Sequence, residues 1–342
     1  MNALSEHRPV CAAERRTSAV SNLQISENNM DKRGTDPFRV SAELRANYIE
    51  TARDKILQEH FELLLQHDAK GQPMAKPVTF TSTGETHGIV LVEGPGGGKT
   101  SLVHHFLKTH PALQSEEPGH KPWIGVRVPS PATLKSLGLE ILRATGYPEV
   151  SSKRKEWDIW RLVRFRMQQL GTAVLWIDEA HDLFRAGKAI EDILKMLKSV
   201  MQGEGAVIVI LTGIDSLWNI ASYDDQVKRR YSKVTLPTIS ASTHEKMLRG
   251  IMEKFCKDAG LVPDAGSDII HRLVYASRSR FGRCIENIIA AIETALRKGD
   301  GQLTAQHFAH SWAMQEGVMP GKNVFLSPRW AQIDLTKLHE AA

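Results

Sequence analysis

A glycine-rich heptapeptide, residues 94–100 (GPGGGKT), constrains this chain more than any other feature. It follows an apolar run, Gly88–Glu93 (GIVLVE), which predicts a buried strand, and a helix is predicted to begin at Lys99. A strand, a glycine-rich turn and a helix in this order form the context that a Walker A loop requires. Glycines let successive backbone N–H groups point at phosphate oxygens, and the N-terminus of the helix adds partial positive charge.

In a Walker A loop, a lysine reaches the β- and γ-phosphates and the next hydroxyl ligates Mg²⁺. These roles fall on Lys99 and Thr100. The residues expected to bind ATP are Gly94, Pro95, Gly96, Gly97, Gly98, Lys99, Thr100 and Ser101. The chain departs from the motif at Glu93, where a glycine is usual, and a carboxylate there is unfavourable unless it points away from the phosphates. The alternative is a glycine-rich turn in which GKT occurs by chance.

Strand-like and helix-like segments alternate around this loop. WIGVRV (123–128) predicts a second strand, and the continuous apolar runs 173–177 and 206–211 are typical of strands buried on both faces. This alternation favours an α/β fold with a central parallel sheet flanked by helices. Beyond Pro237 the pattern predicts helices only, which indicates a small all-helical domain. Helices are predicted over 41–68, 134–144, 156–170, 243–256, 268–275, 285–297 and 304–315.

The chain of 342 residues, with 42% hydrophobic and 24% charged residues, has room for more than one core. Its start is polar and rich in Ser, Asn and Arg, which is typical of disorder. The expected organisation is a disordered segment (1–37), an N-terminal helix and loop (38–87), an α/β nucleotide-binding domain (88–237), a helical lid domain (238–318) and a C-terminal tail (319–342).

The apolar runs are far shorter than the roughly 20 residues of a membrane helix, so no membrane partner is expected. The start of the chain lacks the pattern of a secretory signal. Its three cysteines are widely spaced and form no CxxC pair. We therefore expect a reducing, cytoplasmic location.

A second acidic motif, Val174–Glu179 (VLWIDE), places two carboxylates at the end of an apolar strand. This is the Walker B pattern, in which Asp178 holds Mg²⁺ and Glu179 orients the attacking water. The alternative is a solvated loop after a core strand. The run continues as DEAH, but a helicase of that class needs a second RecA-like domain. Only 163 residues follow Glu179, and their latter part is predicted to be helical.

Three further positions could complete such a site. Thr212 ends the next buried strand and could sense the γ-phosphate, although a strand-capping threonine is an equal alternative. An arginine of the run 228–230 could act on the nucleotide of a neighbouring subunit, or the run could be a solvated basic surface. Arg283, near the start of a lid helix, could reach back over the nucleotide or lie at the surface.

The net charge of +5 is a weak indication of a polyanionic partner. The positions of the basic residues along the chain are a stronger one. Residues 151–170 hold six basic and two acidic side chains, and residues 271–298 hold the same numbers. Such patches suit phosphate contacts that are independent of base sequence and sensitive to salt. The alternative for each patch is a solvated helix face.

The ordered motifs GPGGGKT, LWIDEAH, ILTGID, DQVKRRY and FGRCIENII resemble those of an AAA+ ATPase. More narrowly, the chain resembles the TniB/TnsC family of transposition regulators, which is related to IstB and MuB. The resemblance spans about residues 40–316. Its more family-specific parts are residues 128–130, 134–148, 225–237 and 282–283.

The resemblance implies an AAA+ P-loop NTPase fold with a helical lid. It gives the nucleotide and Mg²⁺ roles to Lys99, Thr100, Asp178 and Glu179. It makes Arg230 the arginine that acts in trans, with Arg229 as second choice, and Arg283 the sensor 2 residue. In this family ATP drives assembly of a ring or helical filament, with six or seven subunits per turn, around double-stranded DNA. The DNA contacts it implies are Lys135, Lys153, Arg154 and Lys155.

The same resemblance implies that the assembly recruits a DDE transposase, works with a target-selection protein and disassembles on ATP hydrolysis. Three rivals stay open: a nucleotide-dependent helicase or remodeller, a switch that hardly hydrolyses ATP, and a signalling ATPase that acts only on proteins. The apolar residues of the tail, among them Phe325 and Trp330, could dock on a partner or fold back on their own domain.

Overall fold

The computed structural model describes residues 36–151, 153–185, 190–222, 225–263, 266 and 268–339. The expected disordered segment lies outside these residues except for Asp36 and Pro37, which cap and begin the first helix. The strands are β1 (Leu65–His67), β2 (Pro73–Pro77), β3 (Gly88–Val92), β4 (Trp123–Arg127), β5 (Val174–Asp178), β6 (Ile208–Gly213) and β7 (Tyr231–Thr235).

In the described part of the chain, the helices before β7 are α1 (Pro37–Ala46), α2 (Ala52–Glu62), α3 (Lys99–Thr109), α4 (Leu134–Ala144), α5 (Glu156–Gln169), α6 (His181–Arg185), α7 (Ile190–Val200), α8 (Ser216–Ala221) and α9 (Asp225–Lys228). Four more follow the last strand: α10 (Ala241–Asp258), α11 (Ile269–Ala276), α12 (Phe281–Lys298) and α13 (Ala305–Glu316). Short 3₁₀ turns occupy Pro111–Leu113, Pro320–Lys322 and Trp330–Gln332.

Five strands form one parallel sheet in the order β4-β5-β6-β3-β7. Every residue of β3, β5 and β6 is buried, as expected for strands covered on both faces. Val92 pairs with Gly213, and Arg127 pairs with Asp178. The carboxyl ends of these strands therefore meet at one edge of the sheet, where the loop after β3 also begins. The predicted parallel sheet flanked by helices, followed by a helical region, is confirmed.

The side chains of β3 alternate between two cores because successive residues of a strand point to opposite faces. Ile89 and Leu91 pack with apolar residues of α2 and α3. Val90 and Val92 pack with those of α4, α5 and α7 on the opposite face. The strand that carries the glycine-rich loop is thus fixed from both sides.

The predicted helix 41–68 is wrong in two places: it is broken at residues 47–51 between α1 and α2, and its last residues form β1. Asp36 caps α1, and Thr51 and Asp54 form a reciprocal capping box at the start of α2. Ser41 lies inside α1, where its hydroxyl donates to the carbonyl of Pro37 at 2.7 Å. The predicted loop 69–87 contains β2, which forms an antiparallel hairpin with β1.

The helices after β7 have a hydrophobic core of their own, formed mainly by α10–α13. Two segments from elsewhere join this core. Val40 and Leu44 of α1 pack into it, and so do Val324 and Phe325 of the tail. The tail therefore folds back on the helical region. Within the described residues, no helix combines the length and the hydropathy that a membrane crossing needs.

Candidate nucleotide-binding site

The glycine-rich loop joins the end of β3 to the start of α3. Gly96 and Gly98 have φ angles of 74° and 96°, in the left-handed region that favours glycine. Gly98 precedes α3, and no side chain caps the helix. The first N–H groups of α3 are thus left to an external acceptor, which is the arrangement that binds phosphate at helix N-termini.

Lys99, the first residue of α3, is buried and folds back over the loop. Its Nζ donates to the backbone carbonyl of Glu93 at 2.9 Å and to that of Gly94 at 3.4 Å. The ammonium group therefore lies within the concavity of the loop. Carbonyl oxygens are neutral acceptors, so an anionic phosphate oxygen in the same place would bind this ammonium more strongly.

Glu93, the departure from the motif, is buried and paired with a cation. Its carboxylate accepts from Nη2 of Arg53, which comes from α2, and Nη1 of Arg53 donates to the carbonyl of Gly97 at 2.7 Å. Burial raises the pKa of Glu93, whereas the Arg53 guanidinium opposes that shift. The sequence pattern did not point to Arg53.

A chain of hydrogen bonds connects the loop to the ends of β5 and β6. The hydroxyl of Thr100 donates to Oδ2 of Asp178 at 2.9 Å. Oδ1 of the same carboxylate accepts from the hydroxyl of Thr212 at 2.6 Å, and that hydroxyl accepts from Nε1 of Trp176 at 3.1 Å. The structure thus brings Thr100 and Asp178 together. Thr212 is fully buried, and its hydroxyl orients the Asp178 carboxylate.

Glu179 follows Asp178 with a φ of 53°, a left-handed conformation that is costly for a residue with a side chain. Two cationic or polar groups flank its carboxylate. Nη2 of Arg127 lies 3.8 Å from Oε1, and Nδ1 of His181 lies 3.3 Å from Oε2. The bend in the backbone turns Glu179 away from the direction of the strand and keeps its side chain partly exposed.

The two adjacent arginines after α9 differ in exposure. The Arg230 side chain is 3% exposed and pairs with Oε1 of Glu85 at 2.7 Å. Arg229 is 57% exposed and pairs with Oε2 of the same carboxylate at 2.9 Å. Arg230, the expected first choice, is thus the buried residue of the pair. Arg229 is the residue at the surface.

The start of α12 packs directly on the glycine-rich loop. The N–H of Arg283 donates to the carbonyl of Gly96 at 3.0 Å. A β-carbon at Gly282 would lie 2.6 Å from that carbonyl oxygen, so this close approach requires glycine. The Arg283 guanidinium lies 3.7 Å from Glu316 of α13, which also accepts two hydrogen bonds of 2.9 Å from Arg278.

A cavity of about 790 Å³ adjoins the loop. Its walls come from the 44–49 segment, the first turns of α3 and one face of α12. Tyr48 stacks on His105 there, with ring centroids 3.6 Å apart and the rings nearly parallel. The volume suits a nucleoside beside a phosphate loop. Tyr48 falls within the segment predicted to be one helix, and no sequence pattern indicated the cavity.

The first basic patch is at the surface. Lys153, Arg154 and Lys155 are exposed just before α5, and Lys135 of α4 is partly exposed. The second patch is mostly engaged within the chain. Arg272 bonds the carbonyls of Val324 and Ser327, Arg278 bonds Glu316, and Arg297 pairs with Glu293. These three arginines therefore already have partners within the chain.

Comparison with known proteins places this site in a family. The family model described as "Bacterial TniB protein" matches residues 45–241. Among solved structures, the Aeropyrum pernix ORC1 protein in complex with DNA is similar, with a TM-score of 0.59 at 16% identity, covering 82% of this chain and 70% of that one.

Cdc6p from Pyrobaculum aerophilum has a TM-score of 0.56 at 12% identity, over 84% of this chain and 76% of that one. The Aeropyrum pernix ORC2 protein, solved as ADPNP-ADP complexes, has a TM-score of 0.55 at 16% identity, over 83% and 75%. At such identities the likeness shows the fold, which is that of the AAA+ ATPases. Because the family model spans more than half of the chain, the protein belongs to the TniB family.

Proposed function

We propose that this protein is a Mg²⁺-dependent ATPase that regulates DNA transposition. One observation carries the nucleotide half of the proposal. The Thr100 hydroxyl and the Asp178 carboxylate, from two separate motifs, lie 2.9 Å apart at the edge of the sheet next to Lys99. A hydroxyl and a carboxylate are oxygen donors of the kind that Mg²⁺ prefers. When bound, Mg²⁺ neutralises charge that develops on the phosphates.

In this proposal each residue has a defined task. Lys99 exchanges its two carbonyl acceptors for phosphate oxygens, and the N–H groups of the loop and of α3 cradle the phosphates. Thr100 and Asp178 hold the metal ion, and Thr212 keeps the Asp178 carboxylate in orientation. Glu179 orients the attacking water, and the cavity beside Tyr48 takes the nucleoside.

Two arginines complete the proposed site. Arg283 reaches the phosphates from α12, since its backbone already bonds the loop at Gly96. Arg229 acts on the nucleotide of a neighbouring subunit, because it is exposed whereas Arg230 is buried. An arginine supplied in this way is worth about 10³ to 10⁵ in rate. Hydrolysis would thereby depend on assembly.

The transposition half of the proposal rests on membership of the TniB family. ATP would drive assembly of a ring or filament on double-stranded DNA, with phosphate contacts from Lys135, Lys153, Arg154 and Lys155. The assembly would recruit a DDE transposase, respond to a target-selection protein and disassemble after hydrolysis. The similarity to an ORC1 protein that was solved in complex with DNA supports a DNA-bound assembly.

The nucleotide site is tested with Lys99→Ala and Asp178→Asn, by titrating a fluorescent ATP analogue and by measuring phosphate release. Lys99→Ala should weaken ATP binding at least tenfold, since the proposed site assigns the β- and γ-phosphate contacts to this ammonium. Asp178→Asn should still bind ATP but lose most hydrolysis at any Mg²⁺ concentration. Lys195→Ala removes an exposed lysine of α7 and serves as the control. Unchanged ATP affinity of Lys99→Ala would refute the site.

A further inference from the structure

Arg53 lies against the glycine-rich loop although it comes from α2, 40 residues earlier in the chain than Glu93. We propose that Arg53 and Glu93 act as one unit that holds this loop in its phosphate-binding conformation. Arg53 is then a positioning residue for nucleotide binding. The inference rests on the proposed ATP site and names a component of it that lies outside both motifs.

The contacts of Arg53 join three elements. Its fork donates to the Glu93 carboxylate and to the Gly97 carbonyl, which lie at opposite ends of the loop. Its guanidinium carbon also lies 5.6 Å from the centre of the Phe281 ring, the first residue of α12. A single side chain thus ties α2, the loop and the start of α12 together. An arginine suits this place because its planar fork bonds two acceptors at once.

The Glu93 side chain packs directly against Gly97. A β-carbon at Gly97 would lie 1.9 Å from the carboxyl carbon of Glu93, so the carboxylate fills the volume that a side chain at 97 would need. The usual loop has glycine at the position of Glu93 and tolerates a side chain at that of Gly97. This chain has exchanged the two: the side chain is at 93 and the additional glycine is at 97.

The bond to Gly97 also bears on phosphate binding. In a planar trans peptide, the C=O and the following N–H point in opposite directions. Fixing the Gly97 carbonyl on Arg53 therefore turns the N–H of Gly98 away from Arg53. That N–H belongs to the glycine-rich stretch whose donors cradle phosphates. Arg53 acts on the nucleotide through the orientation of this peptide.

Charge makes the two residues interdependent. The side chains of Arg53 and Glu93 are 6% and 1% exposed. Nε of Arg53 and Oε1 of Glu93 are buried with no hydrogen-bond partner among the described residues. If Arg53 is removed, the buried Glu93 carboxylate loses its hydrogen-bonded cation and keeps only the longer-range attraction of Lys99 and Arg280. An unpaired Glu93 carboxylate would in addition repel the phosphates.

The test measures the affinity for a fluorescent ADP analogue and, separately, the thermal unfolding of the nucleotide-free protein. Arg53→Met should weaken ADP binding about tenfold or more, since it exposes the phosphates to the Glu93 charge. Adding Glu93→Gln to that variant should restore most of the lost affinity, because the repulsive charge is gone. Lys55→Met removes an exposed cation from the same helix and should bind ADP as the unaltered protein does.

Several outcomes would overturn the inference. It fails if Arg53→Met binds ADP normally, or if the double variant binds no better than Arg53→Met. Should Arg53→Met not fold, Arg53→Lys keeps the charge but cannot span both acceptors. It must then bind ADP more weakly than the unaltered protein while unfolding at a similar temperature, and equal affinity would refute the inference. If the unaltered protein itself binds no nucleotide, the proposed ATP site is wrong, which is a separate result.

Discussion

Arg229 and Arg230 stand next to each other in the chain, yet only Arg229 has a side chain that another subunit can touch. Both pair with the same carboxylate, Glu85. If Arg229 swings outward to a neighbouring nucleotide, Glu85 keeps Arg230 as its partner and does not become an unpaired buried charge. The buried arginine thus lets the exposed one move at low cost.

We predict that Arg229→Ala leaves ATP affinity unchanged and lowers the hydrolysis rate of the assembled protein about 100-fold or more. Arg230→Ala should instead lower the free energy of unfolding by about 3–5 kcal/mol, because it breaks a buried ion pair. Phosphate release and urea denaturation measure the two effects. The prediction fails if Arg229→Ala hydrolyses ATP at the normal rate.

A mixing experiment decides whether Arg229 acts between subunits. Glu179→Gln subunits lack hydrolysis but retain Arg229, whereas Arg229→Ala subunits retain their own nucleotide site. Mixed assemblies should regain part of the activity that each variant lacks alone. Activity that stays at the sum of the two separate variants would show that Arg229 does not work in trans.

Short sequence motifs predict part of the candidate nucleotide site. Lys99, Thr100 and Asp178 each sit next to an apolar strand or at the start of a helix, so a short window of sequence points to them. The partners of these groups are different. Arg53 meets Glu93 across 40 residues, and Arg229 meets Glu85 across 144. No spacing rule connects such pairs, because only the folded chain brings them together.

Among the elements, the strands buried on both faces were the easiest to predict because their apolar runs are continuous. The apolar pattern does not predict β7, because the polar residues Ser232 and Lys233 interrupt it. The break between α1 and α2 was also missed. Apolar residues continue at helical spacing through the join, but α1 packs on the helical region and α2 on the sheet.

The tail is an element whose interpretation the structure narrows. Phe325 is buried and stacks on Phe308 of α13, with ring centroids 5.2 Å apart. We predict that Phe325→Ala lowers the free energy of unfolding by about 3–5 kcal/mol, as expected for loss of a buried aromatic ring. Urea denaturation followed by circular dichroism measures the change.

The neighbouring Leu326, which is 38% exposed, provides the matched control. Leu326→Ala should cost much less stability than Phe325→Ala. Equal and small effects of both substitutions would mean that the tail does not belong to the core of the helical region. In that case docking of the tail on a partner would become the better interpretation.

At the scale of the whole molecule, the distribution of charge matters more than its sum. The exposed basic residues before α5 are free to meet phosphates, whereas much of the second patch bonds its own chain. We predict that Lys153→Ala, Arg154→Ala and Lys155→Ala together weaken binding to duplex DNA in the presence of ATP. The slope of log Kd against log salt should fall by about 2 to 3.

Fluorescence anisotropy of a labelled duplex, recorded with ATP or ADP over a range of salt, measures this slope. The control removes three exposed lysines of α10, Lys246, Lys254 and Lys257, and so changes the net charge equally. An equal loss of affinity in the control would indicate that general charge, not this surface, attracts the DNA. A DNA affinity that does not change with salt concentration would contradict contacts between this protein and the DNA phosphates.

The course of the chain between its two cores has a mechanical consequence. The chain passes from the helical core to the sheet core through residues 47–51, and it returns through residues 236–240. The contact of α12 with the glycine-rich loop adds a third, non-covalent link between the two halves. Arg53 follows the first crossing by two residues, so any shift of the helical half would change the 5.6 Å distance between its guanidinium carbon and the centre of the Phe281 ring.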